Sequence, residues 1–182
     1  SSPSWDPARN LPQANYVGIS GSVNDRSAFT WNHYGYSPDD VVSRGGVLVH
    51  DAARSPKDLT DGTSRTLVIA EQGDWCTDGT GARKDCRSTG GSFTFGWFRD
   101  GNPRLNNLTT VRHPLNTKST TAAGVDGSGS WQQNNNPLQS AHAGVVGAAF
   151  ADGSVQFLAD AMDFTVLCSL ADVADGGATS AY

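Results

Sequence analysis

The sequence predicts an α+β fold: a mostly antiparallel β-sheet carrying long loops, with one short helix near the C-terminus. Three observations predict it. Short apolar stretches recur between clusters of Gly, Asp, Asn and Ser, the punctuation of strands and turns rather than of long helices. Asp-Gly pairs at Asp61-Gly62 and Asp152-Gly153 stand directly beside apolar runs, where turn residues belong. Helical amphipathicity shows clearly in one place, "DFTVLCSLADV", which is short.

Taken in order, "NYVGISGS" from Asn15 reads as a short strand running into turn residues. "GGVLVHDA" from Gly45 reads as a stronger strand, with Val47 and Val49 on one face and Leu48 and His50 on the other. After the turn at Asp61-Gly62, the run from Thr66 to Ala70 is continuously apolar, the pattern of a central strand covered on both faces. "GSFTFGWF" places Phe93, Phe95 and Trp97 on one face of a further strand. A loop-rich insert follows, about 99–140, within a single domain spanning 1–182.

The most structured stretch is "HAGVVGAAFADGSVQFLAD" from His142. Asp152-Gly153 suits the central positions of a type I′ turn, where both residues need positive φ. That turn pairs Ala151 with Ser154, Phe150 with Val155 and Ala148 with Phe157. Val146, Ala148, Phe150, Val155 and Phe157 then share one apolar surface. The opposite surface carries smaller side chains, so the hairpin is expected inside its sheet. A helix is expected from about Phe164 to Ala174, stopped by Gly176-Gly177. A sheet with two apolar faces needs two covers, and this sequence supplies one short helix.

Composition narrows the function. The chain has 182 residues and a formal net charge of -5, with thirteen Lys and Arg forming no basic stripe. That pattern argues against nucleic acid and against anionic lipid as partners. Nearly all the acid is Asp, Glu71 being the one glutamate, so much of the charge serves turns and caps. Charged residues make up 17%, below the usual quarter, which suits a loop-rich extracellular domain. No apolar run is long enough to span a bilayer, and the opening "SSPSWDPARN" reads as a loop entered midway, so a removed N-terminal piece is expected.

Cys76 and Cys86 bracket the polar loop "TDGTGARKD" and are expected to form a disulfide outside the cytoplasm. The rival reading, a metal site, lacks a second close Cys or His pair. Cys168 lies on the amphipathic stretch as a small, inert hydrophobe.

The residues that invite a catalytic reading have plainer ones. His142 and Asp152 would be separated by roughly 30 Å of extended chain, too far for a dyad. Asp152 is expected to serve its turn, and His142 to bond a neighbouring loop or the C-terminal end of the chain. His33, His50 and His113 show no metal-ligand spacing. Ser20 lacks the nucleophile-elbow pattern. "DWCTDGTGARKD" and "GVDGSGS" offer oxygen ligands for calcium, but neither matches the EF-hand loop, so no cofactor is expected.

"HAGVVGAAFADGSVQFLAD" resembles the His-x9-Asp-Gly signature of a planctomycete-type family of pilin-like proteins, domain of unknown function 1559. "NYVGISGS", "RGGVLVHDA", "DLTDGTSRTLVIAEQ" with its apolar strand ending in Glu71, "VRHPLN" and "LADVADGGATS" resemble that family's other segments in the same order. Ala143 stands where the family usually has Pro, and Arg65 where it has Asn. By resemblance, His142, Asp152, Gly153, Asp61, Gly62 and Glu71 are the motif residues. The resemblance implies a pilin-like head lacking its long N-terminal helix, in a subunit made as a leader-bearing precursor anchored in the inner membrane. It further implies a structural role, not catalysis, at the cell surface or in the periplasm, with other pilin-like subunits as partners through that helix. Some pseudopilin heads carry calcium.

A second class of function rests on Trp31, Trp75 and Trp131, which lie in polar loops and could stack on sugar rings in a carbohydrate-binding or adhesive surface.

Overall fold

The computed structural model describes residues 15–31, 40–49, 52–87, 97–99, 102–104, 107–122, 125 and 135–174, with backbone alone at 29, 31, 97–99 and 102–104. The first half contains β1 (Tyr16–Ser22), β2 (Phe29–Trp31), β3 (Asp40–Val42), β4 (Leu67–Glu71), β5 (Trp75–Thr77) and β6 (Arg83–Asp85). The second half adds β7 (Trp97–Arg99), β8 (Asn102–Arg104), β9 (Leu108–Val111), β10 (Val145–Phe150), β11 (Val155–Ala159) and the helix α1 (Phe164–Ala171). The fold is α+β, as the sequence predicts.

Five strands form the main sheet in the order β11-β10-β4-β1-β9. All neighbours are antiparallel except β1 and β9, which run parallel. Three two-stranded ribbons, β2-β3, β5-β6 and β7-β8, decorate it. The expected loop-rich insert therefore contributes β9 to the main sheet.

One face of the sheet is a packed core. Val17 and Ile19 of β1, Leu67 and Ala70 of β4, Val146, Ala148 and Phe150 of β10, and Leu158 of β11 meet Leu167, Cys168, Leu170 and Ala171 of α1. Complete burial of each Leu or Ile there contributes about 1.5–3 kcal/mol. Asp163 starts the helix by accepting hydrogen bonds from the Thr165 N–H at 2.7 Å and the Val166 N–H at 3.4 Å. The helix ends earlier than the sequence predicts, at Ala171, because Asp172 turns extended and is drawn sideways. Its carboxylate accepts from the Ser22 N–H (2.8 Å) and the Ser22 hydroxyl (2.6 Å), bolting the helix to β1.

Three expectations are corrected. The segment from Gly45 is no strand over residues 45–49, and His50 and Asp51 lie outside the described residues. It crosses close to β1, its Gly46 and Leu48 N–H groups donating to Ser20 and Ile19 carbonyls, and a Cβ at Gly46 would lie 2.5 Å from the Gly21 nitrogen. Strand β4 is covered on one face alone, since Ile69 is 40% exposed. The hairpin register is shifted by one residue: Ala149 pairs with Val155, Gly147 with Phe157 and Val146 with Leu158. Of the predicted strand at 91–98, residues 91–96 lie outside the described residues, and Trp97 opens β7.

Candidate functional site

The register shift follows from the turn. Phe150, not Ala151, pairs with Ser154, leaving Ala151, Asp152 and Gly153 as a three-residue loop. Gly153 takes φ 86°, while Asp152 is not in the positive-φ region. This is the three-residue hairpin solution, with glycine in the left-handed position. The carboxylate of Asp152 accepts from the Ser154 hydroxyl (2.7 Å) and the Ser154 N–H (2.9 Å), bonds that hold its pKa below the usual carboxylate range. The N–H groups of Ala151 and Asp152 are committed elsewhere, to the carbonyls of Thr66 and Thr63. Those carbonyls belong to the turn opened by Asp61-Gly62, where Gly62 has φ 97°. The two Asp-Gly turns are thus docked on each other at one end of the β4-β10 pair.

The other end of the same pair holds Glu71 and His142. Glu71 Oε2 accepts the Gly147 N–H at 2.7 Å, and Glu71 Oε1 lies 3.9 Å from His142 Nε2. Gly147 is needed for this approach: a Cβ there would sit 3.1 Å from Oε2. The His142 ring, 67% exposed, stands edge-on to Phe157 with centroids 6.5 Å apart. His142 therefore faces the carboxylate of a core strand, rather than a loop or the chain end. His142 and Asp152 lie at opposite ends of β10, as the sequence predicts.

These residues border the outer face of the sheet. With the observed register, Val155 and Phe157 point away from the core and are 71% and 68% exposed. Ile69 and Tyr16 share that face at 40% and 57%. Between them, β10 presents Val145, Gly147 and Ala149, and the Glu71 side chain lies over Gly147, so larger apolar groups flank a low central strip with one carboxylate at its middle. Sequence reasoning expected an uncovered apolar face but grouped Val155 and Phe157 with Val146, Ala148 and Phe150, so it missed which residues line that face.

The cysteine hairpin is separate. Cys76 and Cys86 form the disulfide and are fully buried at the base of β5-β6. Asp78 organises the tip by accepting from the Thr80 hydroxyl (2.6 Å) and from the Ala82 and Thr80 N–H groups. Those bonds hold its pKa down at about 2. Trp75 is 38% exposed and carries the Arg83 guanidinium 5.2 Å from its ring centroid. The side chain of Trp31 and all of Trp131 lie outside the described residues, as do His33 and His50.

The remaining polar candidates are engaged in the fold. The Ser20 hydroxyl bonds the Thr109 carbonyl at 3.1 Å inside the core. His113 is half-buried after β9 and has partners of its own. Burial pushes the Cys168 thiol up to about 11, against a weaker opposing bond from Ser22. An open cavity of about 580 Å³ is lined by Asp25, Arg44, Arg54, Asp58 and Asp172. Its carboxylates are spent on the fold: Asp25 accepts from the Ser43 hydroxyl at 2.9 Å, Asp58 from the Ser55 N–H at 2.8 Å and Asp172 from the Ser22 hydroxyl at 2.6 Å, while Arg54 donates to the Arg44 carbonyl at 2.6 Å. Among the described residues, no three His, Cys, Asp or Glu side chains gather in a way that could hold a metal ion.

Fold and site together define a small α+β domain whose motif residues lock a hairpin to a central strand and whose outer sheet face exposes Tyr16, Ile69, Val155 and Phe157 around the Glu71 carboxylate. The chain belongs to the family described as "Protein of unknown function (DUF1559)", whose model matches residues 11–165. Neither a curated protein nor a solved structure matches it. Among the described residues, no helix is long and apolar enough to cross a membrane.

Proposed function

We propose that this chain is the head of a pilin-like structural subunit of a cell-envelope filament or a type II secretion-like apparatus. In this reading the outer sheet face is the seat of a long helix. One observation carries it: Tyr16, Ile69, Val155 and Phe157 lie exposed on that face while α1 covers the opposite one. Dimensions support it. Four strands, β11 to β1, span about 14 Å at the usual interstrand spacing, and a helix with its side chains is about 10–12 Å across. A single helix laid over β10 would cross Val145, Ala149 and the Glu71 side chain that covers Gly147, with Phe157 and Val155 on one flank and Ile69 on the other. Burying each of the large side chains would contribute up to about 1.5–3 kcal/mol.

In this mechanism no bond is made or broken. The head supplies a rigid platform, the two docked turns and the Glu71–Gly147 bond fix its geometry, and assembly proceeds through the helix against other subunits. The head itself lies at the cell surface or in the periplasm, with the precursor held in the inner membrane.

The test is made in the cell that produces the chain. Sheared surface material is examined by immunogold labelling with antibody to the head, in wild type and with Phe157→Lys at the native locus. Labelled filaments, or a labelled secretion pseudopilus, in the wild type and their loss in the variant are expected. Head antigen free in the medium and unaffected by the substitution would overturn the proposal.

A further inference from the structure

We infer that β11 is a docking edge for an extended, basic-flanked peptide segment of another protein, which adds to the sheet as one further strand. The proposal uses backbone groups in the plane of the sheet, so it stands apart from the helix seat on the outer face.

The order β11-β10-β4-β1-β9 leaves two sheet edges. At β9 the edge is occupied: the Asn135 amide donates to the Thr110 carbonyl (3.3 Å), and the Thr109 hydroxyl donates to the Asn136 carbonyl (3.0 Å). At β11 it is open. The bonds Phe150 N–H to Ser154 carbonyl and Asp160 N–H to Gly144 carbonyl fix the ladder's parity. In an antiparallel pair, alternate residues turn their backbone groups to the neighbour and the others turn away. Gln156 and Leu158 therefore face β10, while Val155, Phe157 and Ala159 present N–H and C=O outward. The Ala159 carbonyl is taken by the Met162 N–H. The outward groups of Val155 and Phe157 and the Ala159 N–H make no protein hydrogen bond among the described residues.

Exposed edges are commonly blunted by Lys, Pro, a bulge or a covering segment. Val155–Ala159 has none of these: its sequence is VQFLA, without a charge, a proline or a glycine, and the β10-β11 pairing is regular throughout. An incoming strand would gain the outward backbone bonds and set alternate apolar side chains beside Val155 and Phe157, the arrangement by which sheet edges bind extended peptides.

Charge selects the occupant. Asp152 at one end of the strand, and Asp160 and Asp163 at the other, are all exposed. Arg65 of the turn Thr63–Arg65 sits on the β4 side of the hairpin and has its own partner. A second copy fits poorly. Antiparallel self-pairing centred on Phe157 sets Asp160 opposite Ser154 of the other copy, close to that copy's Asp152, between chains each carrying a formal net charge of -5. Like charges so placed are destabilising. A segment with apolar residues at alternate positions and Lys or Arg at both ends meets every feature of the edge.

The probe is a fluorescein-labelled peptide, Lys-Lys-Val-Thr-Val-Thr-Val-Lys-Lys, titrated with the full chain and followed by anisotropy. Two controls accompany it: the same core flanked by Glu, and the basic peptide N-methylated on alternate amides. Saturable binding is expected, about tenfold tighter for the basic than for the acidic peptide at ~0.05 M salt, with the gap narrowing at ~0.5 M. N-methylation of the pairing amides should abolish it. Phe157→Lys and, independently, Val155→Lys should each weaken it at least about tenfold, with unchanged far-ultraviolet circular dichroism. Absence of saturable binding, equal binding of the acidic peptide, or indifference to N-methylation would overturn the proposal. So would a concentration-dependent dimer in sedimentation that Phe157→Lys dissolves, since the occupant would then be a second copy.

Discussion

Gly147→Ala should destabilise the protein in the wild-type background and stabilise it once Glu71 has been removed. At Gly147 the backbone is compatible with alanine, because its φ is not positive. What an added Cβ meets is the Glu71 side chain, with Oε2 at 3.1 Å, Cδ at 3.3 Å and Cγ at 3.6 Å. The carboxylate must move, and its 2.7 Å bond from the Gly147 N–H weakens or breaks. A hydrogen bond to a charged group contributes about 1.5–3 kcal/mol. Against this, replacing glycine by alanine within a strand recovers about 0.5–1 kcal/mol. The net expectation for Gly147→Ala is a loss of about 1–2 kcal/mol. Glu71→Ala alone leaves the Gly147 N–H without its acceptor, costing about 1–3 kcal/mol. In that background the alanine at 147 meets no carboxylate and should gain about 0.5–1 kcal/mol. The assay is urea denaturation of the four proteins of the cycle, followed by tryptophan fluorescence and compared at constant m. Equal destabilisation by Gly147→Ala in both backgrounds would refute the reasoning, because the effect would then owe nothing to the carboxylate.

Other expectations follow from the same structure. Replacing both Cys76 and Cys86 by Ala opens a loop of sequence separation 10 and should lower stability by about 3 kcal/mol; thermal melts of oxidised wild type and variant measure it, and an unchanged midpoint would reject it. Asp78 has a folded pKa depressed to about 2 from an ordinary 3.8. Its stabilising contribution is therefore fully present above 3.8 and lost as pH falls through about 2; a carboxyl NMR titration midpoint near 3.8 would contradict the hydrogen bonding at that turn. Leu167→Ala removes a side chain 1% exposed between α1 and the sheet and should cost about 2–5 kcal/mol by calorimetry or denaturant midpoint. Cys168 should resist thiol labelling at pH 8 until the chain is unfolded, since burial raises its pKa to about 11.

How much of this was legible depends on how far apart the partners lie in the chain. The strand at Tyr16, the apolar strand ending at Glu71, the hairpin after His142, the helix from Phe164 and the Cys76–Cys86 bridge all carry local signals, in periodicity, turn residues or spacing. The failures involve partners remote in sequence. "GGVLVHDA" has strand-like alternation, yet Gly45 and Gly46 admit the β1 backbone and the Asp25 and Asp172 carboxylates so closely that the segment crosses β1 irregularly. Helix α1 stops at Ala171 although its apolar pattern continues, because Asp172 is claimed by Ser22, 150 residues away. Glu71 and Gly147, 76 residues apart, form a bond that neither residue's surroundings in sequence announce.

The hairpin register shows how such a remote contact reaches function. Read locally, "FADGSV" offers two solutions: a two-residue loop with Asp152 and Gly153 both at positive φ, or a three-residue loop with Gly153 alone there. The second asks nothing unusual of Asp152, whose carboxylate is then free to bond Ser154. What reinforces it is the other Asp-Gly turn. Thr66 and Thr63 offer carbonyls that take the Ala151 and Asp152 N–H groups, and Ala151 cannot satisfy Thr66 while closing a two-residue hairpin. One residue of register transfers a whole strand's side chains to the opposite face. Val155 and Phe157 thereby leave the core and become the most exposed large apolar side chains described in the molecule. The motif residues Asp61, Gly62, Asp152 and Gly153 set the register, and through it they decide which surface the domain presents. Substitutions that break the docking of the two turns should therefore disturb the outer face and the β11 edge without altering either directly.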